Sequence, residues 1–170
     1  MKQKPTHKVL DNISIENAKI GFKNFSGKQT DYNPPGRKNF CVFFDEELGK
    51  KLEADGWNIR WTRPRSEEDD SVPFLPVAVS FDNIPPKIVL ITSRGQTLLN
   101  SNTVNELDWA EIKNVDLVIR PYNWAVNGKG GVKAYVRSMY VTIDEDEFAE
   151  KYSHLPSDRN SSPSFEGDEE

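Results

Sequence analysis

A single cysteine, Cys41, among 170 residues excludes an intramolecular disulfide and any zinc-finger spacing. Histidine is almost as scarce. His7 and His154 both fall near the ends, which leaves no His-based triad and no His-based zinc site. No apolar run approaches the length needed to cross a bilayer, and the Lys-containing start MKQKPTHK is not followed by the apolar stretch of a signal peptide. The expectation is a soluble, cytoplasmic protein with no membrane contact. There is no Walker loop, because the glycines near Lys129 belong to a hairpin turn rather than to a strand-to-helix junction. No spacing supports a carboxylate pair among Asp82, Glu106 and Asp108. The run Glu67-Glu68-Asp69-Asp70 reads as a solvated loop rather than a metal site. These gaps predict no cofactor, no metal and no enzymatic activity. The hydrophobic share, 36%, is low, yet a chain of this length can bury a sizeable core as one domain with a tail.

The net charge of −5 is unevenly spread. Residues 144–170 carry ten acids against two bases, whereas residues 1–143 carry 20 bases against 17 acids. A mildly basic body with an acidic tail suggests a nucleic-acid-binding domain with an interaction segment.

The most informative stretch is Asp116 to Ile143, DLVIRPYNWAVNGKGGVKAYVRSMYVTI. It reads as two strands around a turn at Asn127-Gly128-Lys129-Gly130-Gly131, where Asn-Gly and Gly-Gly supply positive φ. With a period of two, Arg120, Tyr122 and Trp124 share a face on the first arm, opposite Leu117, Ile119 and Ala125. On the second, Lys133, Tyr135 and Arg137 share a face opposite Val132, Ala134 and Val136. Pairing the arms gathers three aromatics and, with Lys129 at the turn, four cations on one side and leaves an aliphatic side for a core. Bases stack on aromatic rings and phosphates seek Lys and Arg, so this is the surface a single-strand binder needs. An edge hairpin with an ordinary amphipathic solvent face has the same pattern, since Tyr and Trp are common in strands.

The remainder reads as follows. Residues 1–12 are a flexible lead. Ile13 to Phe25 is a long first strand whose parity changes near Asn17, predicting a bulge or bend. Residues 26–38 form a loop closed by Pro34-Pro35-Gly36. NFCVFF, 39–44, reads as a strand buried on both faces, with Cys41 an inert core thiol. DEELGKKLEA, 45–54, is the best helix, capped by Asp45, ended near Gly56 and apolar at Leu48 and Leu52. Residues 57–63 alternate as a strand with Trp57, Ile59, Trp61 and Arg63 on one side and Arg60 on the other. Residues 64–73 are a charged loop. Residues 74–81 and 87–92 are further strands. Residues 103–112 suggest a short helix with Leu107, Trp109 and Ile112 inward. Residues 144–152 suggest a terminal turn or two of helix, and 153–170 a disordered acidic tail. The domain proper is thus 13–152, mainly β, and an oligonucleotide-binding barrel of five strands, with additional strands and one or two short helices, fits this order.

Four segments carry a family resemblance: KIGFKNF at the end of the first strand; GRKNFCVFF running into DEELGKKLEADGW; VDLVIRPYNWAVNGKGGVKAYV; and the acidic, aromatic-containing end SFEGDEE. The chain resembles the single-stranded DNA-binding proteins of tailed phages, which are built on that barrel. The resemblance implies a protein that coats and protects single-stranded DNA without strong sequence preference during phage replication or recombination, in the host cytoplasm. It implies a binding face of Arg120, Tyr122, Trp124, Lys129, Lys133, Tyr135 and Arg137, and second-rank contacts at Arg37, Lys38, Trp57, Arg60 and Trp61. Core packing is the alternative for Trp57 and Trp61, and a solvated loop for Arg37 and Lys38. It also implies a tail that recruits replication or recombination proteins through Phe165, Glu166, Asp168, Glu169 and Glu170. Two rival readings stay open: a protein-interaction or virion structural β-module, whose interface would also enrich Tyr, Trp and Arg, and an RNA-binding barrel. Oligomeric state is not legible.

Overall fold

The computed structural model describes residues 10–31, 33–64, 66, 68, 70–82 and 84–143. Its first strand is bent. β1 (Ile13–Ile15) and β2 (Lys19–Asn24) are two pieces separated at Asn17, whose φ is 53°. Asparagine tolerates the left-handed region better than most residues with a side chain. The bend is also clamped, because Asn17 N–H donates to Asp116 Oδ1 at 2.9 Å and Ala18 N–H to the Val115 carbonyl at 2.7 Å. This is the bend that the parity change near Asn17 predicts. There follow β3 (Lys38–Phe43), α1 (Glu46–Asp55), β4 (Arg60–Trp61), β5 (Pro73–Val79), β6 (Lys87–Thr92), β7 (Gly95–Leu99), a 3₁₀ turn (Val104–Asp108), β8 (Ile112–Val126) and β9 (Lys129–Ile143).

The ladder runs β1–β8–β9–β5–β3–β2. Every step is antiparallel except β5 with β9, which is parallel. The two ends of this path are consecutive pieces of one bent strand, so the sheet curls back on itself. The bent strand, β3, β5, β9 and β8 make the five-stranded, partly open ring of an oligonucleotide-binding barrel. β4 adds to β5, and the β6–β7 hairpin adds to β9 through parallel pairing of β6. Inside the ring, period-two alternation buries Phe40 and Val42 of β3, Leu75 and Val77 of β5, Leu117 and Ile119 of β8, and Ala134, Val136 and Met139 of β9.

The helix begins where its cap predicts. Asp45 accepts from Leu48 N–H at 2.7 Å, and Gly56, at φ 113°, takes the left-handed position that ends it. Its buried face differs from the expected one. Gly49 and Leu52 are buried, while Leu48 is exposed. The cause is a close approach: a Cβ on Gly49 would lie 2.4 Å from Pro73 Cγ, so the helix seats through its glycine rather than through Leu48.

Other expectations need correcting. The strand over 57–63 shrinks to Arg60–Trp61. β3 is buried on one face only, and Cys41 lies half-buried on the other. β7 is unanticipated; it follows a two-residue reversal at Ser93 and Arg94 and opens on Gly95, φ 128°. The short helix is a five-residue 3₁₀ segment, and Trp109 points outward at 73% exposure. Asp108 does a structural job there, accepting from Phe25 and Ser26 N–H at 2.8 and 2.9 Å, while the Lys23 ammonium donates to the Leu107 carbonyl at 2.9 Å. The lead up to residue 9, the terminal helical turns at 144–152 and the acidic tail lie outside the described residues.

Candidate nucleic-acid interface

β8 and β9 form a ladder with fourteen residue pairs, joined by the two residues Asn127 and Gly128 at φ 53° and 78°. Positive φ at both central positions matches the right-handed twist of the arms. The turn is shorter than the five residues expected, because Lys129, Gly130 and Gly131 already belong to β9. The register pairs Arg120 with Tyr135, Tyr122 with Lys133 and Trp124 with Gly131. Directly opposed residues share a face, so the expected aromatic and basic side chains do come together. Ile119 opposite Val136 and Pro121 opposite Ala134 mark the inward side.

The face is closely organised. The Arg120 guanidinium lies 4.7 Å from the Tyr135 ring centroid, and the Lys133 ammonium lies 5.2 Å from the same ring. Tyr122 meets Tyr135 edge-on at 6.1 Å. Such cation–π contacts hold long basic side chains against the sheet rather than free in solvent. Arg120 Nε is buried and has no hydrogen-bond partner among the described residues. A buried donor left this way is expensive unless an acceptor arrives. Tyr122 and Trp124 remain 51% and 40% exposed. Gly131 makes room for the Trp124 ring, since a Cβ there would lie 3.0 to 3.1 Å from indole atoms.

A bulge extends the face beyond what a period of two predicts. Val118 pairs with Ser138 and Ile119 with Val136, which leaves Arg137 as an extra residue. Arg137 stays exposed, and the parity beyond it inverts. Met139 turns inward and Tyr140 turns outward, with the Lys87 ammonium 5.7 Å from the Tyr140 centroid. Unbroken alternation from Tyr135 puts Tyr140 inside, so no sequence signal marked it or Lys87.

The second-rank residues are distributed differently. Trp57 is buried in the core and Trp61 packs against it. Lys38 is half-buried and donates to the Phe25 carbonyl at 3.1 Å, on the inward parity of β3. Arg37 is exposed beside that strand, and Lys129 is exposed at the tip. Arg60 is exposed and pairs with Phe74, which places it on the outward face of β5. There it joins a cluster the sequence reading missed. Phe22, Phe43 and Phe74 have centroids 5.6 to 5.9 Å apart. Phe43 falls in a run read as buried on both faces, Phe74 in a run read only as a strand, and Phe22 sits in a bulge at φ 49° where pattern reading fails. Among the described residues no group of three His, Cys, Asp or Glu side chains is placed to hold a metal, and no helix is long and apolar enough to cross a membrane.

The comparisons with known proteins bear on the chain as a whole. The family model for a phage ssDNA-binding domain matches residues 1–169. The chain belongs to the phage ssDNA-binding domain family. Among solved structures, it is similar to the single-stranded DNA-binding protein from bacteriophage Enc34 in complex with ssDNA, at TM-score 0.53 and 13% identity, covering 81% of this chain and 89% of that one. A second structure of the Enc34 protein gives TM-score 0.51 and 12% identity, covering 88% and 89%. At such identities the likeness is one of fold. Among curated proteins, none matches the chain in sequence.

Cys41 provides a check on the packing of this side of the barrel. Burial pushes its thiol from 9.0 up to about 11, against a smaller opposing pull from the Arg60 charge. Burial disfavours the thiolate, so the folded protein holds about a hundredfold less thiolate at pH 8 than an unfolded chain. Unfolding releases that proton between pH 9 and 11, so this group's contribution to stability falls as pH rises through that window. Iodoacetamide should therefore alkylate native Cys41 far more slowly than urea-unfolded Cys41, with the native rate climbing towards pH 11. Equal rates at pH 8 would mean a solvated thiol.

Proposed function

We propose that this protein binds and protects single-stranded DNA through the outward face of β8 and β9, without strong sequence preference, during phage DNA replication or recombination in the host cytoplasm. The observation that carries the reading is Arg120: a guanidinium packed on Tyr135 with a buried donor that has no acceptor among the described residues, set among Tyr122, Trp124 and Lys133. A phosphate or base edge supplies the acceptor, and the rings supply stacking surfaces that every base can use. The family match supports the same ligand. Single strands fit this face better than duplex, because bases must be unstacked to reach the rings, and the one α-helix among the described residues is seated on Pro73 rather than projecting towards a groove. The function is one of binding rather than catalysis.

Trp124→Ala and Tyr122→Ala should each weaken oligo(dT) binding by about 1–3 kcal/mol, the worth of a stacked base, and leave the fold intact because neither ring belongs to the buried core. Arg120→Ala should lower the slope of log affinity against log salt by about one. Fluorescence anisotropy across a salt series reads both. Wild-type behaviour in all three variants would remove the face from the binding site.

The acidic C-terminus belongs to the same proposal. Residues 153–170 carry five acids against Arg159, with Phe165 as the only Phe, Tyr or Trp and Leu155 as the only aliphatic side chain larger than proline. The composition of the segment is polar, with little apolar surface to offer a core. Its charge is drawn to the basic face and competes with phosphate, and a bound strand releases it. Phe165, Glu166, Asp168, Glu169 and Glu170 then meet a basic, apolar pocket on a replication or recombination partner. Deleting 153–170 should raise single-strand affinity at low salt, with the gain shrinking as salt rises. Unchanged affinity at every salt concentration would remove the competition.

A further inference from the structure

We infer that the three-phenylalanine cluster is a second stacking station on the path of the bound single strand, separate from the hairpin face. The inference rests on single-strand binding as the function and extends the surface that performs it.

The cluster is built in register. Lys19 of β2 lies opposite Phe43 of β3, Phe43 opposite Phe74 of β5, and Phe74 opposite Arg60 of β4. Directly opposed residues share a face, so one row across four strands reads cation, ring, ring, cation. Neighbouring strands are about 4.8 Å apart, which spans the row over roughly 14 Å. Lys19 and Arg60 are exposed, and Phe43 and Phe74 are half-buried. Phe22 lies above them, 66% exposed, with its centroid 5.6 Å from Phe43 and 5.9 Å from Phe74.

Packing alone does not account for Phe22. Its backbone is left-handed, at φ 49°, a conformation costly for a bulky aromatic and well suited to Asn or Gly. The strain buys little burial, because two thirds of the ring remains in solvent. Gly21 beside it is fitted to the cluster, since a Cβ there would lie 2.7 Å from Phe43 Cε2. Gly131 does the same for Trp124. Both groups therefore have an exposed ring, a glycine opening space for a ring, and flanking cations.

The two groups are continuous. β5 is paired along β3 on one edge, while its other edge takes β4 at Pro73 and Phe74 and β9 at Val77 and Ala78. Ala78 lies beside Tyr135, so the outward face passes from the hairpin to β5 with no large side chain between. Arg60 stands on that same edge, close enough for its charge to act on Cys41. Its charge suits a phosphate between a base on Phe22 and a base on Tyr122 or Trp124. The occupant that this row of rings between cations fits, in line with the hairpin face, is single-stranded DNA.

The test uses the full chain and fluorescein-labelled oligo(dT) of about 4 and about 16 nucleotides, the ends of the range for such barrels. Phe22→Asn removes the ring and keeps a residue at ease with the left-handed backbone, so thermal stability should hold or rise. Its affinity for the longer oligomer should fall about tenfold, the order expected for one lost stacking contact. Phe22→Trp should retain it. Trp124→Ala should weaken the longer oligomer independently. Wild-type affinity of Phe22→Asn at both lengths, with Trp124→Ala weakened, would overturn the second station and leave the hairpin reading intact. A wild-type protein that binds neither oligomer would overturn both.

Discussion

The register of the β8–β9 ladder is the constraint on which the rest depends. Side chains alternate across a strand, so a slip of β9 by one residue would send Lys133 and Tyr135 into the barrel and Ala134 and Val136 into solvent. Two features hold it. The tight turn at Asn127 and Gly128 fixes the pairing at the tip, and the aliphatic side is buried against β3 and β5. Burying one face thus fixes what the other face offers a ligand. The bulge at Arg137 then resets the alternation once, which keeps Met139 in the core and brings Tyr140 outward.

The same ladder closes the barrel. Val115 and Asp116 at the base of β8 accept from Ala18 and Asn17, and this holds the bend that lets one strand serve both ends of the sheet. Asp116 is therefore spent on architecture, as Asp108 is where it takes two N–H groups at the end of β2. Carboxylates committed this way leave the outward face of the hairpin to cations and rings. The basic balance of the body and the acidic balance of the C-terminal residues gain physical meaning from that separation.

Much of this was legible where local chemistry decides the structure. Asp45 and Gly56 mark a helix, Asn127-Gly128 marks a hairpin, and regular alternation from Arg120 to Trp124 and from Lys133 to Arg137 marks a face. What failed was whatever depends on a distant partner. Leu48 looked like the helix's buried side until Pro73 proved to sit against Gly49. Helical spacing puts Trp109 inward, but the 3₁₀ segment stops at Asp108 and does not provide that spacing. Phe22, Phe43 and Phe74 come from three strands, and nothing in any one segment shows that their rings meet. Tyr140 was hidden by one extra residue. The fold class survives such local errors, because it rests on many burials at once, whereas a binding face can be altered by a single bulge.

The central claim is that exposed rings on a curved sheet, flanked by cations, select unpaired bases. The most direct measurement is a titration of labelled oligo(dT) and of a duplex of the same length against the protein, at low and at moderate salt. The account predicts tighter binding to the single strand at both, with affinity falling as salt rises but the preference persisting, because stacking is less screened than phosphate contact. Equal affinity for duplex and single strand, lost together as salt rises, would show a surface that senses charge alone and would contradict it.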